Sequence, residues 1–187
     1  MRLTTAFLTG AVVVLCSWFI FRKVGDDYHR NGKLTRTSSF LETAVFFLHG
    51  VSSYAFLDSR VRTIQVGSTA FILAIVLIAI GVIGVLAIMA HLGWGKTVGQ
   101  DVDGLQISGI YRYTRNPQLV TYLFVVLGYS LLWPSWTGLF WVGLYLVIAH
   151  IMVRTEEAHL LEQYGDAYSE YCQRTPRYFG FPHQTPE

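Results

Sequence analysis

Charged residues are missing from one long stretch in the second half of the chain: no Asp, Glu, Lys or Arg lies between Arg115 and Arg154. A Trp-Pro-Ser-Trp turn at 133–136 divides this stretch into two apolar arms. Each arm has roughly 17 residues and is about 25 Å long as a helix, which is close to the minimum that crosses the hydrocarbon core of a bilayer. The pattern therefore predicts a transmembrane hairpin whose two charged ends lie side by side on one membrane face.

Further apolar segments precede the hairpin. The predicted spans are about 4–21, 39–57, 69–92, 117–133 and 136–153. The second span is the weakest because it contains Glu42 and His49. The first is longer than the apolar region of a signal peptide, so we expect it to stay as an uncleaved span.

Composition agrees with these spans. The chain is 52% hydrophobic and 14% charged, and its mean hydropathy is +0.41, values typical of polytopic membrane proteins. The sequence therefore predicts a single all-α membrane domain over residues 1–187. We expect a bundle of about five transmembrane helices, followed by short cytoplasmic helices at the C-terminal end.

The positive charges favour five spans over four. With five spans, eleven of the 14 Lys and Arg residues lie on one side, and only Arg2, Arg60 and Arg62 lie on the other; omitting the second span divides the charges evenly. Cytoplasmic loops are enriched in Lys and Arg, so we expect the N-terminus outside and the C-terminus in the cytoplasm. The expected partner is the lipid bilayer, because a net charge of +2 is too small to suggest nucleic acid. The oligomeric state is left open.

A glycine-rich loop at 93–99 contains the triplet Gly-Lys-Thr. A phosphate-binding P-loop would need a further glycine where this chain has Ala90, and a strand where it has an apolar segment. We therefore expect a flexible connecting loop with Lys96 at the lipid headgroups. The two cysteines, Cys16 and Cys172, are too far apart in the sequence to indicate a metal site, and we predict none.

Two polar motifs flank the hairpin. The first, Gly-Ile-Tyr-Arg-Tyr-Thr-Arg-Asn-Pro-Gln at 109–118, suits the start of a helix, with Pro117 in the first turn and Asn116 as the N-cap. The second runs from residue 154 to 177. Taken alone, the first motif is explained by capping, and the second by an ion pair between Arg154 and Glu157 worth at most about 0.5 kcal/mol.

The second motif also suggests a polar cavity. His150, Arg154, Glu157 and Leu161 follow the i, i+4, i+7, i+11 spacing of one helical face. We therefore expect this face to line a cavity at the cytoplasmic end of the bundle.

Together, the motifs show a family resemblance. The order GxYxxxRNPQ, uncharged hairpin, RxEExxLxxxYGxxYxxYxxRxPR resembles the integral-membrane methyltransferases typified by isoprenylcysteine carboxyl methyltransferase, to which phospholipid N-methyltransferases are related. The resemblance covers roughly residues 105–178. It implies a helical membrane fold that binds S-adenosylmethionine in a cytoplasmic pocket made by about 91–118 and 150–178. It also implies a lipophilic, membrane-embedded substrate, with S-adenosylhomocysteine as the second product.

The resemblance further implies roles for individual residues. The candidate catalytic residues are Arg115, Glu156 and Glu157. The candidate cofactor-binding residues are Tyr111, Asn116, Pro117, Gln118, His150, Arg154, Tyr164 and Tyr168. Arg115 is expected to hold a carboxylate, and one of the two glutamates to accept hydrogen bonds from the ribose or amino group of the cofactor. The tyrosines are expected to pack on adenine or face the sulfonium. For Asn116, a bond to the cofactor and a helix cap are equally open.

Several alternatives stay open. Isoprenylcysteine enzymes read Arg-His-Pro-x-Tyr where this chain has Asn116 and Leu119, so the acceptor can be a prenylated cysteine, a phospholipid amine or another lipophilic molecule. The pattern at 164–179 also looks like NADPH-dependent sterol reductases, although the chain has no dinucleotide-binding fingerprint. A small transporter or assembly factor is the third alternative. It would predict polar residues at mid-depth, which the last three spans almost lack.

Overall fold

The computed structural model of the chain describes residues 2–56, 64–101 and 104–182. Seven α-helices and one 3₁₀ turn, Gly109–Arg112, occur among these residues, and no strand does. The helices are α1 (Arg2–Asn31), α2 (Arg36–Ala55), α3 (Thr69–Leu92), α4 (Trp94–Thr97), α5 (Pro117–Leu132), α6 (Trp136–Tyr164) and α7 (Asp166–Arg174). The all-α fold class predicted from the sequence is confirmed.

The predicted hairpin is present as α5 and α6. Helix α5 ends at Leu132, and α6 begins at Trp136, where the Ser135 side chain accepts a hydrogen bond of 3.0 Å from the backbone N–H of Gly138. The charged ends of the hairpin meet, because Arg115 Nη2 lies 3.0 Å from Glu157 Oε1. Helix α6 continues well beyond the predicted end of its span at residue 153.

The five predicted spans coincide with five helices that differ in apolarity. Helices α1, α3 and α6 are long and apolar enough to cross a membrane; α5 is apolar but shorter, and α2 is less apolar than this group. Large side chains on the long helices point outward, and Phe19, Ile83 and Leu139 are each more than half exposed. A lipid environment covers such surface, so the chain is a helical membrane protein. Leu57, Arg60 and Arg62, which belong to the span and charge predictions, lie outside the described residues.

Helix α2 has its polar residues on the inside. Its buried side chains include His49 and Ser53, whereas Phe40, Phe47 and Tyr54 are each more than two-thirds exposed. His49 Nε2 bonds to the Trp141 carbonyl at 2.9 Å on α6. An apolar outer face with polar side chains turned inward suits a helix that spans a bilayer. This arrangement supports the second span, which stays a prediction.

Small residues bring α3 and α5 into close contact. Ala74, Gly81 and Ile88 are the buried residues of α3, and they repeat every seven positions along one stripe. A Cβ atom at Gly81 would lie 2.6 Å from Val125 Cγ2 and 2.7 Å from the Thr121 carbonyl oxygen, so only glycine fits there. Small residues at a helix interface of this kind allow close backbone packing in membranes.

The elbow between α1 and α2 is attached to the loop after α3. The backbone N–H of Leu34 donates to the Gly99 carbonyl at 2.9 Å, and the Ser39 hydroxyl donates to the Val98 carbonyl at 2.6 Å. These bonds, together with the buried cluster where α1, α2 and α6 meet, hold the start of α2 at one end of the bundle. The polar motifs of the hairpin lie at the same end.

Candidate active site

A cavity of about 200 Å³ lies where helices α1 and α2, the segments 92–101 and 104–119, and the α6–α7 region come together. Its polar lining residues are Tyr28, Glu42, Lys96, Thr97, Asp101, Gln106, Tyr111, Arg115, Asn116, Gln118, Glu156, Glu157, His159, Tyr164, Tyr168 and Tyr171. The cavity therefore collects polar side chains from both polar motifs and from α1, α2 and α4, which the motifs do not include.

Glu157 binds two arginines at this cavity. Its Oε1 atom lies 3.0 Å from Arg115 Nη2 and accepts a hydrogen bond of 3.0 Å from Arg177 Nε, and its Oε2 atom lies 2.6 Å from Arg177 Nη2. The side chains of Arg115 and Glu157 are only 10% and 14% exposed, so these charge-assisted bonds are largely protected from water. The hydrogen bond to Glu157 raises the pKa of Arg177. Both arginines are therefore cations that Glu157 holds in fixed positions.

The segment after α7 is bonded to the residues that precede α5. The backbone N–H of Arg115 donates to the Pro176 carbonyl at 3.1 Å, and the Asn116 side chain donates from Nδ2 to the Arg177 carbonyl at 2.9 Å. These bonds bring the Arg177 side chain to Glu157, although the two residues are on separate elements.

Asn116 occupies the N-cap position of α5, but its side chain makes no capping bond. The capping role considered for Asn116 is therefore wrong, because its amide is used to hold the C-terminal segment. Pro117 is the first residue of α5 and is buried, as its missing N–H allows at that position. Both residues line the cavity.

Several polar groups at the cavity have no bonding partner among the described residues. Arg115 Nε, Gln118 Nε2 and His159 Nε2 are buried atoms without a hydrogen bond. The carboxylates of Glu42 and Glu156 line the cavity and form neither a hydrogen bond nor an ion pair with a described residue. Buried polar groups are normally satisfied, so this set indicates a ligand-binding site.

Aromatic rings surround these polar groups. Tyr28 and His159 are stacked, with ring centroids 4.0 Å apart and planes 14° apart. Burial raises the pKa of Tyr111, and the Glu156 carboxylate raises it further. Burial and then the Glu157 carboxylate raise the pKa of Tyr168 in the same way. These phenols are therefore neutral at physiological pH and are available as hydrogen-bond donors or packing surfaces.

The glycine-rich loop is part of the cavity wall. The placement of Lys96 at the headgroups stays a prediction, but the expected irregular loop is wrong at this point, because Lys96 and Thr97 belong to a short helix, α4, and line the cavity. The reason is the tie between Gly99 and Leu34, which fixes the loop on the elbow. Gly99 has a φ of +66°, and a Cβ there would lie 2.8 Å from Leu34, so the tie requires glycine.

The structure places His150 and Arg154 outside the cavity. Both are exposed and neither lines it, so the predicted lining face is wrong at these positions, although its member Glu157 does line the cavity. The lining face of α6 instead runs through Met152, Glu156 and His159. Because Glu157 binds Arg115 and Arg177, the predicted pair of Arg154 with Glu157 is not formed.

The other predicted residues meet at one place. Tyr111, Arg115, Gln118, Glu156, Glu157, Tyr164 and Tyr168 all line the cavity, with Asn116 and Pro117. Sequence reasoning missed Arg177, Glu42 and Tyr28 as members of the site. A signal existed for Glu42, since a carboxylate in an apolar span is a functional candidate by default. No local signal marks Tyr28, which reaches the site only through the tertiary fold.

A second, apolar cavity lies beside the first. It has a volume of about 570 Å³ and is lined by α5, α6 and the residues after α7, including Leu123, Leu146 and Phe179. We call it the apolar groove. Leu119 lines both the groove and the polar cavity. A polar pair also lines the groove: His150 Nδ1 lies 3.2 Å from the Tyr178 hydroxyl.

Within the described ranges 2–56, 64–101 and 104–182, no group of three His, Cys, Asp or Glu side chains is arranged to hold a metal ion. The arrangement therefore offers charged, hydrogen-bonding and aromatic groups for an organic ligand, next to an apolar space.

Comparison with known proteins agrees with this arrangement. A search of curated proteins found no match. Residues 69–167, just over half of the chain, match the family model of phospholipid methyltransferases. The matched segment begins with α3 and contains the whole hairpin together with Arg115, Glu156 and Glu157. The chain therefore belongs to the phospholipid methyltransferase family and is a membrane methyltransferase.

Proposed function

We propose that this membrane methyltransferase transfers a methyl group from S-adenosylmethionine to a lipophilic acceptor that stays embedded in the bilayer. The observation that carries the proposal is the contact between two unlike cavities. The polar cavity holds charged and aromatic side chains together with three buried nitrogen atoms, Arg115 Nε, Gln118 Nε2 and His159 Nε2, that have no hydrogen bond to a described residue. The apolar groove beside it shares the wall residue Leu119. A water-soluble ligand and the apolar part of a lipid can thus approach one another at Leu119.

The residues of the polar cavity fit the chemistry of the proposed cofactor. S-adenosylmethionine supplies a methyl group on a positively charged sulfur, and it also carries an amino group, a carboxylate, ribose hydroxyls and an adenine ring. Glu156, without a described partner, can accept hydrogen bonds from amino or hydroxyl groups. The buried Nε of Arg115 can donate to a carboxylate, and Tyr111 and Tyr164 offer rings for adenine.

The two neighbouring glutamates take different roles in this proposal. Both carboxylate oxygens of Glu157 are occupied by Arg115 and Arg177. Glu157 is therefore a positioning residue, which holds the Arg115 guanidinium at the cavity. Glu156 is the carboxylate that is left to contact the cofactor.

The protein contributes alignment and exclusion of water. Methyl transfer requires the acceptor atom, the methyl carbon and the sulfur in one line, and positioning of this kind can supply about 7–11 kcal/mol. Side chains that are held before the ligand binds cost no reorganisation during the reaction, and Arg115 is held on both its backbone and its guanidinium. Low water content at the membrane edge strengthens each of these electrostatic contacts.

The orientation in the membrane is part of the proposal. Eleven of the 14 Lys and Arg residues lie on the side of the polar cavity when α2 spans the membrane, which places the cavity in the cytoplasm and the N-terminus outside. The apolar groove lies along the charge-free hairpin, so its occupant reaches it from the bilayer.

Binding of the cofactor product tests the enzyme class. Calorimetry on the detergent-solubilised protein should show saturable binding of S-adenosylhomocysteine and none of NADPH. Binding of NADPH alone would support the sterol-type reductase, and binding of neither would support a transporter or assembly factor.

The acceptor is identified by its product. Membranes containing the protein should incorporate radiolabelled methyl groups from S-adenosylmethionine into a lipid extract, and mass spectrometry of the labelled species distinguishes a prenylated cysteine ester from a methylated phospholipid amine. Label that appears only in the water-soluble fraction would contradict a lipophilic acceptor.

A further inference from the structure

Glu42 brings a carboxylate into the polar cavity from a helix outside the family match. It lies near the start of α2, whereas the match covers residues 69–167. It is the sole Asp, Glu, Lys or Arg between Arg36 and Asp58 in the sequence. A carboxylate in an apolar membrane segment is energetically costly, so its presence there indicates a functional role.

The charge of Glu42 is not balanced by any residue that the structure describes. The side chain lines the cavity beside Glu156, and the two carboxylates are close enough for their charges to repel one another. Arg115 lines the same cavity, but its guanidinium is engaged by Glu157. Two half-buried carboxylates side by side are stable only when a proton or a cation lies between them or against them.

A second observation at the cavity also indicates a ligand. His159 is 7% exposed, lines the cavity, and has an Nε2 atom without a hydrogen bond among the described residues. Its ring is stacked on Tyr28, and the phenol of Tyr28 interacts electrostatically with both Glu42 and Glu156. The two carboxylates, the phenol and the imidazole thus form one group that faces the cavity.

We propose that Glu42 and Glu156 form an acidic pair that binds a positively charged nitrogen or sulfur group of a ligand in the polar cavity. This inference rests on the proposed function, and it adds α2 to the binding site. The cation can come from the methyl donor, as its sulfonium or its ammonium, or from an amine acceptor. The charge of any of them compensates the repulsion between the carboxylates.

The test compares Glu42→Gln with a matched control, Glu170→Gln. Glu170 is exposed, pairs with the exposed Arg174 and does not line the cavity. Calorimetry measures the dissociation constants of S-adenosylmethionine and S-adenosylhomocysteine, and initial rates measure the KM for the acceptor found by labelling. We expect Glu42→Gln to weaken at least one ligand by about tenfold or more, and Glu170→Gln to change none of the values.

The pattern of losses identifies the cation. Weaker binding of S-adenosylmethionine alone assigns the pair to the sulfonium, because S-adenosylhomocysteine lacks that charge. Weaker binding of both assigns it to the ammonium. Unchanged binding of both with a raised KM for an amine acceptor assigns it to the acceptor. If all three values match the wild type, the inference is overturned while the proposed function stands; if the wild type binds neither compound, both fall.

Thermal unfolding without ligand separates this role from a structural one. Because Glu42→Gln removes the repulsion, the ligand-free variant should unfold at the same temperature as the wild type or higher. A lower temperature would mean that Glu42 stabilises the fold and would contradict an unbalanced pair. Should Glu42→Gln fail to express, Glu156→Gln removes the other half of the pair and must give the same pattern of binding losses.

Discussion

At the scale of single residues, the site depends on which oxygen atoms are already occupied. Glu157 and Glu156 are neighbours with the same chemistry, yet both oxygens of Glu157 are bound by Arg115 and Arg177. Glu156 faces the cavity without a described partner. The difference follows from the helix, which turns adjacent side chains by about 100°. In the proposed function, the two adjacent glutamates therefore serve positioning and binding separately.

Arg177→Ala tests the positioning role of Glu157. The change removes both contacts from the Arg177 guanidinium to Glu157 and leaves Glu157 paired with Arg115 alone. Because Arg115 is then held less precisely, kcat/KM for methyl transfer should fall by up to about 100-fold. The lost charged hydrogen bonds should also lower stability by about 1.5–3 kcal/mol. Initial-rate kinetics and thermal unfolding measure the two effects. Arg174→Ala is the control, because the ion-pair partner of Arg174 among the described residues is the exposed Glu170. Equal losses in both variants would contradict the role.

At the scale of elements, α3 and α5 are joined by their backbones rather than by large side chains. Gly81 and Gly84 on α3 face Thr121 on α5, and Gly128 on α5 faces Ile78 on α3. Lipid tails are as apolar as leucine side chains, so helix association in a bilayer depends on close packing. This interface holds α5, and therefore Arg115 just before it, at a fixed position.

Gly81→Leu should open the α3–α5 interface. The new side chain begins 2.6–2.8 Å from atoms of Val125 and Thr121, closer than real contacts allow, and overpacking of this kind costs about 1–3 kcal/mol. A lower unfolding temperature in detergent measures the effect. Gly143→Leu is the matched control, because a Cβ at Gly143 meets nothing within 4 Å. Similar unfolding temperatures for the two variants would show that the interface contributes little.

The hairpin α5–α6 separates the polar cavity from the apolar groove at Leu119. Leu119→Trp should fill the space through which the acceptor reaches the cofactor. We expect the KM for a lipid acceptor to rise by about tenfold or more while the dissociation constant of S-adenosylhomocysteine stays within about twofold of the wild type. Leu139→Trp is the control, since Leu139 is 58% exposed on α6 and lies outside the groove. A wild-type KM in Leu119→Trp would place the acceptor elsewhere.

At the scale of the whole molecule, the membrane decides which faces point outward. Helix α2 buries His49 and Ser53 and exposes Phe40 and Phe47, the reverse of a helix in water. The same arrangement places both polar motifs at one end of the bundle, with the turn at 133–136 at the other. We therefore predict that the site is reached from one compartment only.

Cysteine labelling tests this topology. In a background with Cys16→Ser and Cys172→Ser, Tyr113→Cys and Arg154→Cys should both react with an impermeant reagent from the cytoplasmic side only. Trp136→Cys, at the opposite end of the hairpin, should react only from outside. All three positions are exposed, so accessibility is decided by the compartment. Opposite labelling of Tyr113→Cys and Arg154→Cys in the membrane would rule out a shared cavity.

Local patterns in the sequence determined the helices and the hairpin. A charge-free stretch of this length has to cross a membrane as helix, because backbone groups in lipid must bond internally, and a turn at its middle brings its ends together. For the same reason the proximity of Arg115 and Glu157 could be predicted from their places at the two ends. Nine of the eleven residues that the family resemblance implied line the cavity, since the motifs lie on those two ends.

Only the tertiary structure decided which groups face one another inside the site. The face of α6 that lines the cavity passes through Glu156 rather than Arg154. The direction of this face is set by how α6 packs on α1 and α5. Sequence periodicity alone does not determine that packing, because α6 is apolar on all sides. Arg177 reaches Glu157 because hydrogen bonds from Arg115 and Asn116 hold the C-terminal segment beside the start of α5. Tyr28 and Glu42 reach the cavity because the α1–α2 elbow is tied to the loop after α3, and contacts between such distant residues depend on packing that no local sequence pattern records.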